Sequence, residues 1–216
     1  MDFTNCKGIQ AKKYLTNKYF ITPLTYVKLL NNQTRMGCCG KITDKYYIFS
    51  YENKNDENEK GNFYTGSNCA NQFFELLGIK NKFKLFNPFH QIKHKAYNKP
   101  IRYDNGYKNL QDQLNQEIYN AINLLFCSFE SIPYNAKINQ ILDFITRVNI
   151  KTKDWAVIEV NNLISQDSKN RNLDTIVSDI NEENDIREFS FPKMKKIITT
   201  LIQSGEVVRN NIGELD

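Results

Sequence analysis

The 216-residue chain lacks the features on which several common classes of protein depend. It has no run of apolar residues long enough to cross a bilayer, and its first residues lack the apolar core of a signal peptide, so we expect a cytoplasmic protein with no membrane contact. Its five cysteines, an odd number, fit reduced thiols rather than a disulfide framework. Glycine-rich phosphate loops, serine nucleophile elbows and Cys–His pairs with an orienting acid are absent, so the sequence predicts none of these enzyme classes.

Histidine is also scarce, which limits the metal sites that the sequence can predict. His90 and His94 are the two histidines of the chain, and their i, i+4 spacing would point both side chains at one ion on a helix. With Cys39 and Cys69 they form a conceivable set of four ligands, but the spacing matches no common zinc pattern. The prediction is therefore no cofactor, with structural zinc as the alternative.

The residues around these cysteines carry a resemblance. Gly37-Cys38-Cys39-Gly40-Lys41 precedes a strand-like stretch at 46–51, and Gly66-Ser67-Asn68-Cys69-Ala70 leads into a helix-like stretch at 71–77. This order is similar to a degenerate treble-clef zinc module, in which a knuckle precedes a hairpin and the last ligands lie at a helix start. The usual Cys-x-x-Cys is missing, since Met36 stands three residues before Cys39. The resemblance therefore implies a vestige of such a module with buried thiols.

Charge is distributed unevenly along the chain. Residues 1–100 hold 16 Lys and Arg against 7 Asp and Glu, a net charge of +9, whereas residues 101–216 hold 13 against 17, a net charge of −4. This asymmetry predicts a polyanionic partner for the basic half. At 79–85, apolar residues alternate with lysines, which predicts a strand with one basic face. Further basic residues interleaved with aromatic rings follow, a pattern typical of nucleic-acid binding, so the predicted phosphate contacts are Lys80, Lys82, Lys84, Lys93, Lys95, Lys99 and Arg102.

The C-terminal third shows the clearest periodicity. Apolar residues recur at helical spacing in three segments, 152–164, 173–180 and 190–202, which predicts three helices. Thr152 is predicted to cap the first helix, Pro192 is suited to the first turn of the third, and Gly205 to its end. Beyond it, 206–209 and 212–215 are predicted to be strands joined by a tight turn at Asn210-Asn211.

This order resembles the winged helix-turn-helix superfamily. The resemblance rests on Phe-Pro-Lys-Met-Lys-Lys-Ile-Ile and Thr-Leu-Ile-Gln-Ser-Gly-Glu-Val-Val-Arg at 191–209, and it extends to the C-terminal domains of replicative minichromosome-maintenance helicases and of the middle subunit of the eukaryotic single-strand-binding complex. It implies that the third helix enters a major groove and implies no catalytic residue. The implied contact residues are Lys193, Lys195, Lys196, Thr200 and Arg209.

The predicted fold is α+β, in three parts: a basic α+β domain at 1–108, a helical connector at 109–150 and a winged-helix domain at 151–216. In the connector, apolar faces at 110–128 and 138–145 predict two helices that face a core or a dimer surface. The predicted function is non-catalytic binding of nucleic acid, preferably double-stranded DNA, by a regulator or an accessory subunit of a DNA-handling complex. The richness in Asn, Lys, Ile, Tyr and Phe, with little Ala, indicates a bacterial or mobile-element origin.

Two alternatives stay open at this point. Residues 151–216 carry a net charge of −3, and acidic residues crowd just before the third helix, so the winged helix could dock a protein partner instead of DNA. A metal-dependent nuclease is the other alternative, since nucleases of the restriction type hold a metal with an Asp and a Glu-x-Lys on adjacent strands. Two places have that outline: Asp44 with Glu52-Asn53-Lys54, and Asp143 with Glu159 and Asn161.

Overall fold

The chain folds into seven helices and six strands over the residues described by the computed structural model, which are 3, 6–80, 83–90, 112–146 and 152–214. The mixture of a sheet with separate helices confirms the predicted α+β class. The elements in chain order are α1 (Ile9–Lys18), β1 (Tyr19–Lys28), β2 (Arg35–Gly37), β3 (Gly40–Ile42), β4 (Lys45–Asn53), β5 (Asp56–Thr65), α2 (Ser67–Leu76), β6 (Leu85–Phe86), α3 (Gln113–Ser128), α4 (Ala136–Thr146), α5 (Asp154–Ile164), α6 (Leu173–Asn184) and α7 (Pro192–Gln203).

The chain divides into two compact units. The first consists of Met1–Asn87 with Glu130–Asn139, and the second of Pro88–Phe129 with Gln140–Asp216. This division differs from the predicted one, because α3 and most of α4 lie in the same unit as α5, α6 and α7. The boundaries at 108 and 150 stay a prediction.

The first unit is built on a four-stranded sheet with the order β5-β4-β1-β6. The β1–β4 and β4–β5 pairs are antiparallel, and β6 adds to β1 in parallel through only Tyr26 and Val27. A register shift between Pro23 and Thr25 marks a bulge in β1, at a point where β6 does not pair with it. Proline lacks a backbone N–H, so it is tolerated at such an irregularity.

Aromatic rings form much of the core of this unit. Phe49 and Phe63 stack on neighbouring strands at 5.4 Å between ring centroids, and Phe73 of α2 packs on both rings at 5.5 Å. Phe49 and Phe73 are fully buried. Side chains of alternate strand residues point to the same face of a sheet, so β4 and β5 present their rings together to α2. The sequence-predicted strand at 46–51 and helix at 71–77 are confirmed as parts of β4 and α2.

The second unit has α3 at its centre. Ten of its residues between Glu117 and Cys127 are buried, and α5, α6 and α7 all pack against it. This explains why its apolar residues extend around most of the helix instead of forming one stripe. In α4, Ile138, Ile141, Leu142 and Ile145 are buried, as the apolar spacing predicts.

The ends of α6 and α7 follow from local sequence. Asn172 precedes α6 and its side chain accepts a hydrogen bond of 2.8 Å from the N–H of Thr175, which is a side-chain cap. Pro192 is the first residue of α7, where its missing N–H is not needed. At the other end, Gly205 has a φ of 79°, and the N–H groups of Gly205 and Glu206 bond back to the carbonyls of Ile202 and Leu201. This is a Schellman end, as the glycine predicts.

Three sequence predictions of local structure are wrong. The three C-terminal helices form as predicted, but Thr152 does not cap α5. Lys153 is its N-cap residue, and Thr152 instead donates to the side-chain carbonyl of Asn115 from both its N–H and its hydroxyl group. The described part of 79–85 contains strand structure only at Leu85, because pairing with β1 is limited to β6. The third error concerns the wing.

The segment after α7 forms no strand over the described residues 206–214. Its backbone is bound to the helices instead. Asn161 of α5 donates to the carbonyl of Arg209 at 3.0 Å and accepts from the N–H of Asn211 at 2.7 Å, and the carbonyl of Asn211 accepts from the N–H of Leu173 at 2.8 Å. The Arg209 carbonyl at the end of the predicted first strand and the backbone of the predicted turn residue Asn211 are thus bound to α5 and α6, so the predicted wing does not form.

Candidate nucleic-acid interface and cysteine cluster

One face of α7 carries three of the seven described residues that the sequence predicts as DNA contacts. Lys193, Lys196 and Thr200 are exposed, and their spacing of three and four residues places them on one line along the helix. The opposite face carries the buried Met194, Ile198 and Leu201. The exposed line is about two turns long, so two ammonium groups and a hydroxyl point away from the body of the unit.

Lys195 does not belong to this exposed line. It is 8% exposed, and its Nζ lies 2.9 Å from the Asp174 carboxylate at the start of α6. Asp174 also favours the N-terminus of its own helix, where the dipole is positive. A buried and paired ammonium group is not available to a phosphate, so Lys195 is removed from the predicted set. The sequence placed it there because helical spacing alone does not reveal which face packs against α6.

The first turn of α7 is closed by a carboxylate from another helix. Phe191, its N-cap residue, makes no side-chain cap bond. Instead Glu117 of α3, which is 4% exposed, accepts a hydrogen bond of 2.9 Å from the N–H of Met194 and another from the side chain of Gln113. Burial raises the pKa of Glu117, while the backbone N–H groups of α7 act in the opposite direction. The N-terminus of α7 is thus already occupied and offers no free anion site.

The other predicted contacts are scattered. Arg209 is exposed, in the segment that replaces the wing. Lys80 and Lys84 are also exposed and lie outside strand structure, so they do not form the predicted basic strand face. Five predicted contacts lie outside the described residues: Lys82, Lys93, Lys95, Lys99 and Arg102.

Four cysteines of the first unit lie close together. The sulfurs of Cys6, Cys38 and Cys39 lie within 4.8 Å of one another. Cys38 and Cys39 are 3.6 Å apart, and the sulfur of Cys69 lies 2.8 Å from that of Cys39. We call this group the cysteine cluster. None of its members is in a disulfide bond.

Local structure brings these four residues together from three parts of the chain. Cys38 and Cys39 form the turn between β2 and β3, flanked by Gly37 and by Gly40, whose φ of 134° suits glycine. Cys69 lies in the first turn of α2. The N–H of Cys6 bonds to the carbonyl of Cys38 at 2.9 Å, which ties the segment before α1 to this turn.

A buried lysine lies beside the cysteine cluster. Lys12 of α1 is 1% exposed, and its Nζ is 2.8 Å from the Cys6 carbonyl and 3.7 Å from the Cys39 sulfur. The same ammonium group lies 5.8 Å from the centre of the Phe73 ring. No carboxylate of the described residues forms an ion pair with it. Within the cluster, a hydrogen bond from Cys38 lowers the pKa of Cys6, and burial raises the pKa of Cys69.

Two residues of the predicted ligand set lie together in this cluster. Cys39 and Cys69 meet as the sequence suggests, and their neighbours among the described residues are Cys6 and Cys38. His90 is exposed and belongs to the other unit, and His94 lies outside the described residues. Cys38 is adjacent to Cys39 and could have been included from sequence. Cys6 is more than thirty residues from its neighbours in the cluster, and no spacing pattern indicates it.

Neither predicted nuclease outline forms an arrangement of adjacent strands. Asp44 precedes β4 and Glu52 lies near its end, so a rise of about 3.3 Å per residue separates them by roughly 26 Å. Asp44 is paired with Lys28, and Glu52 accepts a hydrogen bond from Tyr134. Asp143 and Glu159 both lie on helices, α4 and α5. These residues do not assemble the metal site that the alternative requires.

The fold and the two candidate sites define an α+β protein with a helical unit and a cysteine-bearing sheet unit. Comparison with protein families matches residues 4–207 to the family described as "Uncharacterised conserved protein UCP028583", and the chain belongs to that family. No curated protein and no solved structure matches it significantly. Among the described residues, no helix combines the length and the apolar character needed to span a membrane.

Proposed function

We propose that the protein binds nucleic acid without catalysis, and that α7 of the second unit makes the principal contact with double-stranded DNA. One observation carries this proposal: Lys193, Lys196 and Thr200 are exposed on one line of a helix whose opposite face is buried in the unit. An exposed helix face held by a packed body is the common way in which a helix enters a major groove. The role would be that of a regulator or an accessory subunit of a DNA-handling complex.

The three exposed side chains of α7 would make two kinds of contact with DNA. The two lysines supply charge for phosphate oxygens, which gives affinity and position without reading sequence. Thr200 lies one turn further along, and its hydroxyl donates to the Lys196 carbonyl at 3.1 Å while its lone pairs can accept from a base edge. The predicted wing does not form. Arg209 would therefore bind a phosphate only if the DNA extends to the C-terminal end of α7.

The basic first unit adds a second, less specific contribution. Lys80 and Lys84 are exposed there, and the residues of this unit hold 14 Lys and Arg against 8 Asp and Glu, a net charge of +6. Such charge attracts a polyanion over long range and raises association rates in a salt-dependent manner. This supports binding of nucleic acid in general and does not select duplex over single strand.

The test is fluorescence anisotropy of the full chain with labelled duplex and single-stranded DNA over a salt series. The variant Lys193→Glu with Lys196→Glu should weaken duplex binding by at least tenfold, because two attractive contacts become repulsive. The matched control reverses two exposed lysines elsewhere in the same unit, Lys153→Glu with Lys169→Glu, which changes the net charge equally. Equal losses in both variants would indicate that only overall charge matters and would refute the role of α7.

A second candidate function is docking of a protein partner by the same helix. The exposed acids Glu182, Glu183, Asp185 and Glu188 lie at the end of α6 and in the loop before α7, and they would repel phosphates. A partner with a basic surface would suit both these acids and the apolar stems of the lysines. If the reversal of Lys193 and Lys196 leaves DNA affinity unchanged, this candidate replaces the first.

A further inference from the structure

We infer that the cysteine cluster is a structural zinc site with Cys6, Cys38, Cys39 and Cys69 as its four ligands. This site is independent of the proposed DNA-binding face, which lies on α7 in the other unit. Its ligands differ from the predicted set of two cysteines and two histidines.

The first argument is the ligand geometry. Four thiolates at about 2.3 Å from a tetrahedral Zn²⁺ lie about 3.8 Å from one another. The Cys38–Cys39 distance of 3.6 Å is close to this value, and Cys6 lies within 4.8 Å of both. The Cys39–Cys69 distance of 2.8 Å is too short for two bound ligands, so these sulfurs must separate by about 1 Å. Cys69 is not among the three cysteines whose sulfurs all lie within 4.8 Å of one another, so coordination by all four requires its half-buried side chain to move.

The second argument is the buried lysine. An ammonium group that is 1% exposed and has no carboxylate partner among the described residues is costly beside four neutral thiols. A zinc ion with four thiolates carries a net charge of −2, so the ammonium of Lys12 would then have an anionic neighbour. Its distance of 3.7 Å from the Cys39 sulfur suits an N–H···S contact, which is a common outer contact of zinc thiolates.

The third argument is the way in which the backbone presents the ligands. The turn between β2 and β3 leaves both its cysteines on the side facing Cys6, and a side chain at Gly37 would meet Ile42 at 2.5 Å. Cys69 lies in the first turn of α2, at the positive end of the helix dipole, which favours a thiolate there. A zinc ion would therefore join the segment before α1, the β2–β3 turn and α2.

Binding requires no oxidant or reductant. Each coordinating thiol loses its proton to solvent, the S–H bond is replaced by a Zn–S bond, and up to four protons are released per ion. Zinc rather than a harder cation follows from the all-sulfur set.

The experiment is metal analysis of the full chain, expressed with added zinc and purified under reducing conditions without chelator. We expect about one zinc per chain. Cys39→Ser and Cys69→Ser should each lose most of the zinc, whereas Cys127→Ala, a buried cysteine of α3 outside the cluster, should keep it. Lys12→Met should keep the metal but bind it about tenfold more weakly in a chelator competition, as expected for loss of an outer contact.

If a cysteine variant does not fold, a second measurement on the wild-type chain still tests the zinc site. Metal-free protein titrated with Co²⁺ should develop the visible absorption bands of a tetrahedral thiolate complex at one equivalent, and added Zn²⁺ should remove them. The inference is overturned by folded wild-type protein without metal, by iron in place of zinc, or by a Cys39–Cys69 disulfide in the purified protein without bound metal.

Discussion

The carboxylate of Glu117, buried within the second unit, accepts a hydrogen bond of 2.9 Å from the backbone N–H of Met194 in the first turn of α7. A side chain of α3 thus provides the cap that Phe191 cannot. This contact fixes the start of the helix that carries the proposed DNA-binding face, so the orientation of that face depends on one buried carboxylate.

Removal of this cap should destabilise the second unit. Glu117→Ala leaves buried N–H groups without an acceptor, and we expect a loss of about 2 kcal/mol in the free energy of unfolding. Glu117→Gln keeps an acceptor and should cost about 1 kcal/mol or less. Urea denaturation measures both, with the exposed Glu182→Ala as the matched control. Equal stability of all three variants would mean that Glu117 does not cap α7 in solution.

The same carboxylate should give a pH dependence of known sign. Burial raises the pKa of Glu117 in the folded chain above its unfolded value of about 4.3. Between the two pKa values the folded state holds more protons, so this group's contribution to stability is fully present below the unfolded pKa and is lost as the pH rises through the folded pKa. The unfolding free energy of wild type relative to Glu117→Gln should therefore increase as the pH falls through this window. A difference that does not vary with pH would contradict the raised pKa.

Arg171 forms the second polar contact on which the helical unit depends. Its guanidinium donates to both carboxylate oxygens of Asp167, at 3.0 and 2.8 Å, and to Asp179 at 2.7 Å. The side chain of Asp167 is only 2% exposed, whereas that of Asp179 is 43% exposed. The hydrogen bond from Arg171 lowers the pKa of Asp167.

Loss of the guanidinium should therefore cost far more than loss of the exposed partner. Arg171→Ala leaves the Asp167 carboxylate buried without its cation, and we expect a loss of about 3 kcal/mol. Asp179→Ala removes an exposed partner and should cost less than about 1 kcal/mol. The stability loss of Arg171→Lys should lie between these two values, because lysine restores the charge but cannot make the bidentate hydrogen bonds. Thermal and urea unfolding of the three variants test this order, and a larger loss for Asp179→Ala would reverse the interpretation.

The sequence predicts an element well when the interactions that form it are local in the chain, and poorly when they come from distant residues. The helices α3 to α7 follow from apolar spacing within each segment, and Gly205 and Pro192 mark ends of α7 by local backbone chemistry. The predicted wing does not form because its backbone is hydrogen-bonded to Asn161, about fifty residues earlier, and no local pattern indicates this contact. The strand predicted at 79–85 is wrong for a similar reason: the extent of a strand depends on its partner, and β1 pairs only with Leu85 and Phe86.

The candidate sites show the same limit. Helical spacing placed Lys193 and Lys196 on an exposed face, but it also included Lys195, whose burial depends on Asp174 of another helix. In the cysteine cluster, the sequence resemblance groups Cys39 and Cys69, while Cys6 joins them through tertiary hydrogen bonds to Cys38 and Cys39, which no spacing pattern indicates. A lysine such as Lys12 gives no sequence signal of burial, because its partners are a carbonyl and a sulfur.

The segment after α7 should depend on one amide side chain. Asn161 makes three bonds with Arg209 and Asn211, at 3.0, 2.7 and 3.1 Å. Asn161→Ala removes the two made by its side chain and should cost about 2 kcal/mol, since Asn211 is also buried. Amide hydrogen exchange should show faster exchange at 209–212 in this variant. Asn162→Ala, at the exposed neighbouring position, is the control, and unchanged exchange in both variants would mean that other contacts hold the segment.

The difference between Lys195 and its neighbours provides the sharpest test of the proposed interface. Lys193→Glu with Lys196→Glu removes two phosphate contacts, and each contact contributes about 0.9 to the slope of log affinity against log salt concentration, so the slope should become shallower by about 1.8. Lys195→Met breaks a buried pair with Asp174 and should lower stability while leaving the salt slope of the remaining folded protein unchanged. Anisotropy titrations at several salt concentrations, at a temperature where every variant is folded by circular dichroism, measure both effects. A shallower slope for Lys195→Met alone would show that this lysine leaves Asp174 to contact DNA, and it would require a different docking face from the one proposed.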